Sequence, residues 1–119
     1  MKKLKILIVE DDKSSELLLF AITKQYSKKT IVSNNGLESL NIVRSNPDID
    51  LIFMDIRMPV MDGCEVIKRI REFNQDVIIF VTSASDHNEN SMKCGANEFV
   101  PKPIKIQKLQ ELIEIYFKN

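Results

Sequence analysis

What the chain lacks narrows its function first. It has no surplus of charge: 17 Lys and Arg against 17 Asp and Glu leave a formal net charge of zero. That removes the electrostatic case for nucleic acid or an anionic membrane as the main partner. It has no long hydrophobic run, and nothing approaches the ~20 apolar residues that cross a bilayer. The opening Met1-Lys2-Lys3 and the apolar stretch behind it superficially resemble a signal peptide. That stretch stops at Glu10-Asp11-Asp12 with no small-residue cleavage site, too early for a signal-peptide core. Cysteine is scarce. Cys64 and Cys94 are the only two, with no C-x-x-C spacing, and read as reduced thiols of a cytosolic domain rather than a disulfide or metal pair. Internal repeats, low-complexity tracts and linkers are absent as well. The 119 residues are expected to form one domain, 1–119, large enough to bury a core without disulfide or metal staples.

What is present is a set of short apolar runs that end in chemistry-bearing residues. Strands are predicted at Lys5–Val9, Thr30–Ser33, Asp50–Met54, Val77–Val81 and Glu98–Val100. Near-continuous hydrophobic runs are the mark of parallel strands buried on both faces. Glu10 and Asp11 follow the first run, and Asp55 follows the third. Open parallel sheets bind ligands beyond the carboxyl ends of their strands, so neighbouring runs would bring these acids to one rim. At ~4 Å and an effective dielectric of ~20, two such charges repel by ~4 kcal/mol. A divalent cation is the simplest compensation.

Helical patterns fill the gaps. Ser14–Gln25 carries Leu17, Leu18, Phe20, Ala21 and Ile22 as a wide apolar face, with Ser14 or Ser15 as candidate N-cap. Gly36–Ser45 presents Leu37, Leu40 and Val43, and Asn46-Pro47 stops it. A third helix at about Cys64–Phe73 places Val66, Ile67, Ile70 and Phe73 on one side. The last, at about Ile106–Phe117, shows Leu109, Leu112, Ile113 and Tyr116 at i, i+3, i+4 and i+7. Between the fourth and fifth strands the pattern fails. Ser83 to Asn90 has Ala84 as its only apolar residue, and its Asn, Ser and Asp side chains compete for the backbone outside helical geometry. A helix there is expected to be weak or short, its last turn surviving near Met92 to Cys94 and Gly95 ending it. Strand–helix alternation with short connections argues for βαβ units.

These residues together resemble the receiver domain of two-component response regulators across essentially the whole chain. The carriers are the acidic triplet, Met54-Asp55-Ile56-Arg57-Met58-Pro59-Val60-Met61-Asp62-Gly63, Val81-Thr82-Ser83-Ala84, Gly95-Ala96-Asn97-Glu98-Phe99 and Phe99-Val100-Pro101-Lys102-Pro103. They occur in order at successive strand ends. The run Ser45 to Gly63 and the Lys102-Pro103-Ile104 ending most resemble receivers attached to hybrid sensor histidine kinases. The resemblance implies an α/β fold of flavodoxin-like, doubly wound type. Its five-stranded parallel sheet would run in order 2-1-3-4-5 with helices on both faces.

It also implies roles. Asp55 would be the phosphoacceptor, with Lys102 and Thr82 contacting the phosphoryl oxygens. Mg²⁺ would be ligated by Asp11, Asp55 and the backbone carbonyl of Arg57, and by Glu10 through water, a supply that suits an ion which keeps several waters. Thr82 and Phe99 would form the switch, and Lys102-Pro103 would be a cis bond. The implied partner is a sensor histidine kinase or histidine phosphotransfer protein, with slow self-dephosphorylation and a cytoplasmic location. Direct nucleic-acid binding and membrane contact are not implied. Oligomeric state stays open between a monomer and a phosphorylation-linked dimer.

Simpler readings hold for several residues. Asp12 reads as an N-cap or first-turn acid favourable to the helix dipole, Gly63 as a turn residue, and Cys64 and Met92 as packing. His87, the only histidine, reads as exposed, which gives little support to a phosphodonor role. Three rival functions fare worse. A haloacid dehalogenase-type aspartyl-phosphate phosphatase wants a second acid two residues after its nucleophile, and Ile56 and Arg57 follow Asp55. A flavin module needs a Ser/Thr/Gly-rich phosphate loop where this chain has Glu10-Asp11-Asp12-Lys13-Ser14-Ser15. A pseudo-receiver that binds without phosphorylation would lack a site residue, and none is missing.

Overall fold

The computed structural model describes residues 1–58, 61–84 and 92–118. Its elements run β1 (Leu4–Val9), α1 (Lys13–Thr23), a 3-10 turn (Lys24–Tyr26), β2 (Ser27–Ser33), α2 (Gly36–Ser45) and β3 (Leu51–Asp55). They continue with α3 (Gly63–Phe73), β4 (Ile78–Ser83), β5 (Glu98–Pro101) and α4 (Ile106–Phe117). The sheet order is β2-β1-β3-β4-β5 with every pairing parallel, as the sequence predicts. No helix among the described residues is long and apolar enough to cross a membrane.

Alternation along the strands builds two cores, because successive side chains of a strand point to opposite faces. Leu7, Val9, Ile52, Met54, Ile79 and Val81 face α2 and α3, where Leu40, Val43, Val66, Ile67 and Ile70 cover them. Ile6, Ile8, Phe53 and Phe80 face the other way, under Leu19 and Ile22 of α1 and Leu109 and Ile113 of α4. Burial of both faces explains why these strands read as unbroken apolar runs.

Several expectations change in detail. Neither Ser14 nor Ser15 caps α1. Asp12 does, in keeping with its reading as an N-cap acid, its carboxylate accepting from the Ser15 amide at 3.0 Å and the Ser15 hydroxyl at 2.7 Å. The packed stripe of α1 is Leu19, Ile22 and Thr23, while Leu17, Phe20 and Ala21 are exposed. A helix with apolar residues at nearly every position does not announce which stripe meets the sheet. Leu37 and Phe73 are exposed as well, and the Arg44 guanidinium lies 5.1 Å over the Phe73 ring. Strand β2 starts earlier than predicted, at Ser27, because an edge strand tolerates exposed Lys28 and Lys29 on its open side.

The cysteine reading is overturned. Cys64, in the first turn of α3, and Cys94, in the turn before β5, are disulfide-bonded, with Cα atoms 5.4 Å apart. Their sequence separation of 30 residues hides a neighbourhood that exists only once α3 and the approach to β5 pack on the same face of the sheet. For the predicted weak helix, Ser83 closes β4 and Met92-Lys93 is helical, with Gly95 accepting the positive φ of +113° expected of a helix-ending glycine. The rest of that reading, and the one for His87, lie outside the described residues.

Candidate functional site

The strand register assembles the site. Val9 pairs with Met54, so the residues that follow, Glu10 and Asp55, sit side by side at the carboxyl rim. Asp55 pairs with Thr82, and Thr82 with Val100, two residues before Lys102. Backbone bonds fasten the rim: Glu10 N to Ser33 O at 3.0 Å, Ile56 N to Thr82 O at 3.2 Å, and Lys102 N to Ser83 O at 2.8 Å. Lys102-Pro103 is a cis bond, as expected.

Gly63 opens α3 directly against this rim. Its amide donates to Ile56 O at 3.1 Å, and a Cβ at that position would stand 2.4 Å from the Asp55 carbonyl oxygen. The turn requires glycine for its lack of a side chain.

Glu10, Asp11 and Asp55 each offer a carboxylate oxygen, all within 4.8 Å of one another. Glu10 is 1% exposed and Asp55 3%, while Asp11 is open to solvent. Three hard oxygen donors on one side of an accessible rim fit Mg²⁺, which takes few carboxylates and retains water. The Arg57 amide donates to Asp55 Oδ1 at 3.0 Å.

Lys102 and Thr82 are both recruited to Glu10. The ammonium lies 3.0 Å from Glu10 Oε1 and 3.8 Å from Asp55 Oδ2. Thr82 Oγ1 donates to Glu10 Oε2 at 3.4 Å, and the Asp12 amide to Glu10 Oε1 at 3.3 Å. The resemblance implies only an indirect metal contact for Glu10. The structure makes it the hub through which the lysine and threonine are pre-positioned. The one hint in sequence is its place at the end of a fully buried strand.

This environment perturbs the acids. Burial, then the Glu10 carboxylate beside it, push the Asp55 carboxyl up to about 6, against the opposing pull of the Arg57 amide and Lys102. Asp11 is also raised, by desolvation first and then by Asp55. Asp12 is held below the usual carboxylate range by its hydrogen bonds to Ser15, consistent with a cap rather than a ligand.

Phe99 is half-buried and packs against the core under α2 and α3. Sequence reading missed Arg71, which ties α3 to the approach to β5. Its guanidinium donates to Gly95 O at 2.9 Å, Val77 O at 2.7 Å, Asn74 O at 3.3 Å and Asn97 Oδ1 at 3.0 Å. In sequence it is one more polar residue on an exposed helix face.

Comparison with known proteins agrees with this architecture. Residues 6–114 match the family described as the response regulator receiver domain. The chain belongs to that family: it is a receiver domain of two-component phosphorelay signalling. It is similar to the transcriptional regulatory protein ZraR of Klebsiella oxytoca, 36% identical over 88% of this chain and 24% of that protein. Two-component response regulator 24 of Arabidopsis thaliana is 32% identical over 93% of this chain and 82% of its own length. Hybrid signal transduction histidine kinase K of Dictyostelium discoideum is 32% identical over 97% of this chain but 10% of that protein. The chain therefore spans a small part of some relatives and most of others.

Among solved structures, the receiver domain of Ssk1 in complex with the histidine phosphotransfer protein Ypd1, from Saccharomyces cerevisiae, superposes with a TM-score of 0.85. It is 28% identical, covering 95% of this chain and 88% of that one. A CheX–CheY complex with BeF3 and Mg²⁺ from Borrelia burgdorferi gives 0.90 at 25% identity, covering 99% and 92%.

Proposed function

We propose that this receiver takes a phosphoryl group from a partner's phosphohistidine onto Asp55 in a Mg²⁺-dependent reaction, and that the modified carboxylate switches the β4–β5 face. One observation carries the reading. A nearly buried carboxylate lies at a strand end with two further carboxylates within 4.8 Å and a lysine ammonium at 3.8 Å.

In the forward step an Asp55 carboxylate oxygen attacks phosphorus. A C–O–P bond forms, the N–P bond breaks, and the imidazole nitrogen of the donor leaves with the electron pair. The transition state is loose, with charge spread over equatorial oxygens, so positioning and electrostatics supply the rate. Lys102 is close enough to follow that charge by exchanging Glu10 for a phosphoryl oxygen. Thr82 can turn its hydroxyl the same way, drawing β4 toward the site and opening room for Phe99. Asp11, Asp55 and the Arg57 carbonyl, with Glu10 through water, would hold Mg²⁺, which when bound would neutralise acceptor and phosphoryl charge together. Water attack on the acyl phosphate returns Asp55 and inorganic phosphate, slowly. Moving a two-state face from 1:99 to 99:1 takes ~5.5 kcal/mol of differential stabilisation, within reach of a doubly charged group placed in this site.

The partner is a sensor histidine kinase or histidine phosphotransfer protein in the cytoplasm. The groove lined by Ser14, Ser15, Leu18, Pro103 and Ile104 adjoins Lys102, and Leu17 is exposed beside it on α1. That apolar rim next to the acceptor supports docking of a helix that carries the donor histidine.

Acetyl phosphate with Mg²⁺ should add one phosphoryl group by intact mass, and chelator should prevent it. Asp55→Asn should stay folded and unlabelled at that position. Full modification of that variant with an unchanged lifetime would end the assignment.

A further inference from the structure

The disulfide between Cys64 and Cys94 serves no step of phosphoryl transfer. We propose that this pair is a reversible thiol–disulfide site whose reactants are low-molecular-weight thiols and disulfides. Oxidised, it ties α3 to the turn entering β5; reduced, it releases that turn.

The two ends of the tether are anchored differently. Cys64 follows Gly63, whose amide is bonded to Ile56 O and whose Cα abuts the Asp55 carbonyl, so this end is fixed to the acceptor strand. Cys94 sits in a short turn closed by Gly95 N to Met92 O at 3.1 Å. Farther along, the same segment is held independently by Arg71 on Gly95 O at 2.9 Å and by Asn97 N on Ile79 O at 2.8 Å. Reduction therefore frees the turn around Met92 to Cys94 more than the strand entry at Asn97.

The geometry allows re-closure and gives one accessible end. A Cα separation of 5.4 Å is within the ordinary disulfide range, so the folded backbone holds the two cysteines where the bond can close again after reduction. Cys64 is half-buried and Cys94 is 6% exposed, so Cys64 is the sulfur that a small thiolate reaches.

In reduction, a thiolate attacks Cys64 Sγ and the electron pair leaves on Cys94 Sγ, which takes a proton from solvent. A second thiol then attacks the mixed disulfide, forming the small-molecule disulfide and releasing the Cys64 thiol. Two thiols are oxidised for each protein disulfide reduced.

The consequence for signalling rests on the proposed function, because the freed turn adjoins the β4–β5 face. The exchange chemistry does not. Glutathione is the probe. The full chain would be equilibrated across ratios of reduced to oxidised glutathione, quenched by alkylation and weighed intact. We expect an intramolecular two-thiol transition within that range. A pair that stays wholly oxidised or wholly reduced at every ratio overturns the proposal.

Hydrogen exchange without a phosphodonor supplies the second arm. Peptides over residues 92–96 should exchange several-fold faster in reduced protein, and those over 97–99 should change less. Cys64→Ser and, separately, Cys94→Ala should match the reduced protein at every ratio. Equal protection in both redox states overturns the release. Failure of acetyl phosphate to label Asp55 would overturn the phosphoacceptor reading alone, since neither arm uses a phosphodonor.

Discussion

Replacing the acceptor should make the metal-free protein more stable at neutral pH. Asp55 is 3% exposed and shares its rim with a fully buried glutamate, and its carboxyl is raised from 3.8 to about 6. Holding it ionised at pH 7.5 costs the native state on the order of 3 kcal/mol. Lys102 can reorient to soften that cost, so Asp55→Asn should gain about 1–3 kcal/mol, or roughly 4–10 °C in Tm for a domain of this size. The pH dependence has a definite sign. Between 3.8 and about 6 the native protein keeps a proton on Asp55 that the unfolded chain has released. The wild type is therefore stabilised as pH falls through that window and destabilised as it rises, relative to the asparagine variant. Urea denaturation in chelator at pH 7.5 and again at pH 5 measures this, and the gap should narrow at pH 5. Adding Mg²⁺ should stabilise the wild type by ~2.7 kcal/mol at a hundredfold excess over Kd, and the variant much less. A variant no more stable than wild type at pH 7.5, or a gap indifferent to pH, would refute the reasoning.

Lys102→Met removes the ammonium that compensates Glu10 and Asp55, and should cost about 2–4 kcal/mol in chelator at pH 7.5 while slowing acetyl phosphate labelling; an unchanged urea midpoint would contradict it. Gly63→Ala forces a methyl group to within 2.4 Å of the Asp55 carbonyl oxygen, so it should lose about 1–3 kcal/mol by urea denaturation and label more slowly. Asp12→Ala should lower Tm slightly through the lost α1 cap while phosphoryl labelling stays normal. Asp11→Asn should do the reverse, weakening Mg²⁺ affinity by titration without unfolding α1. Thr82→Ala should still be labelled but fail to change hydrogen exchange at Phe99 on phosphorylation.

The sheet and its rim were legible in the chain because both are written locally. A parallel strand buried on both faces must be apolar almost throughout, and its first polar residue then marks the rim. That places Glu10, Asp11, Asp55 and Lys102, while the strand order is what the resemblance to receiver domains implies. Thr82 was placed as well, although β4 continues through it to Ser83. Helix faces were less legible. In Leu17-Leu18-Leu19-Phe20-Ala21-Ile22, apolar residues surround the helix, so periodicity is satisfied by more than one stripe. Only the seating of α1 on the sheet selects Leu19 and Ile22.

The sequence by itself determined the winding, the acidic rim and the residue types available for phosphoryl chemistry. The tertiary structure alone decided who pairs with whom. Lys102 and Thr82 meet on Glu10, Arg71 reaches carbonyls on either side of β4, and Cys64 finds Cys94 across 30 residues. Periodicity and burial are properties of a short window and leave their mark in it. A contact between distant residues depends on where whole elements come to rest, and no local window carries that information.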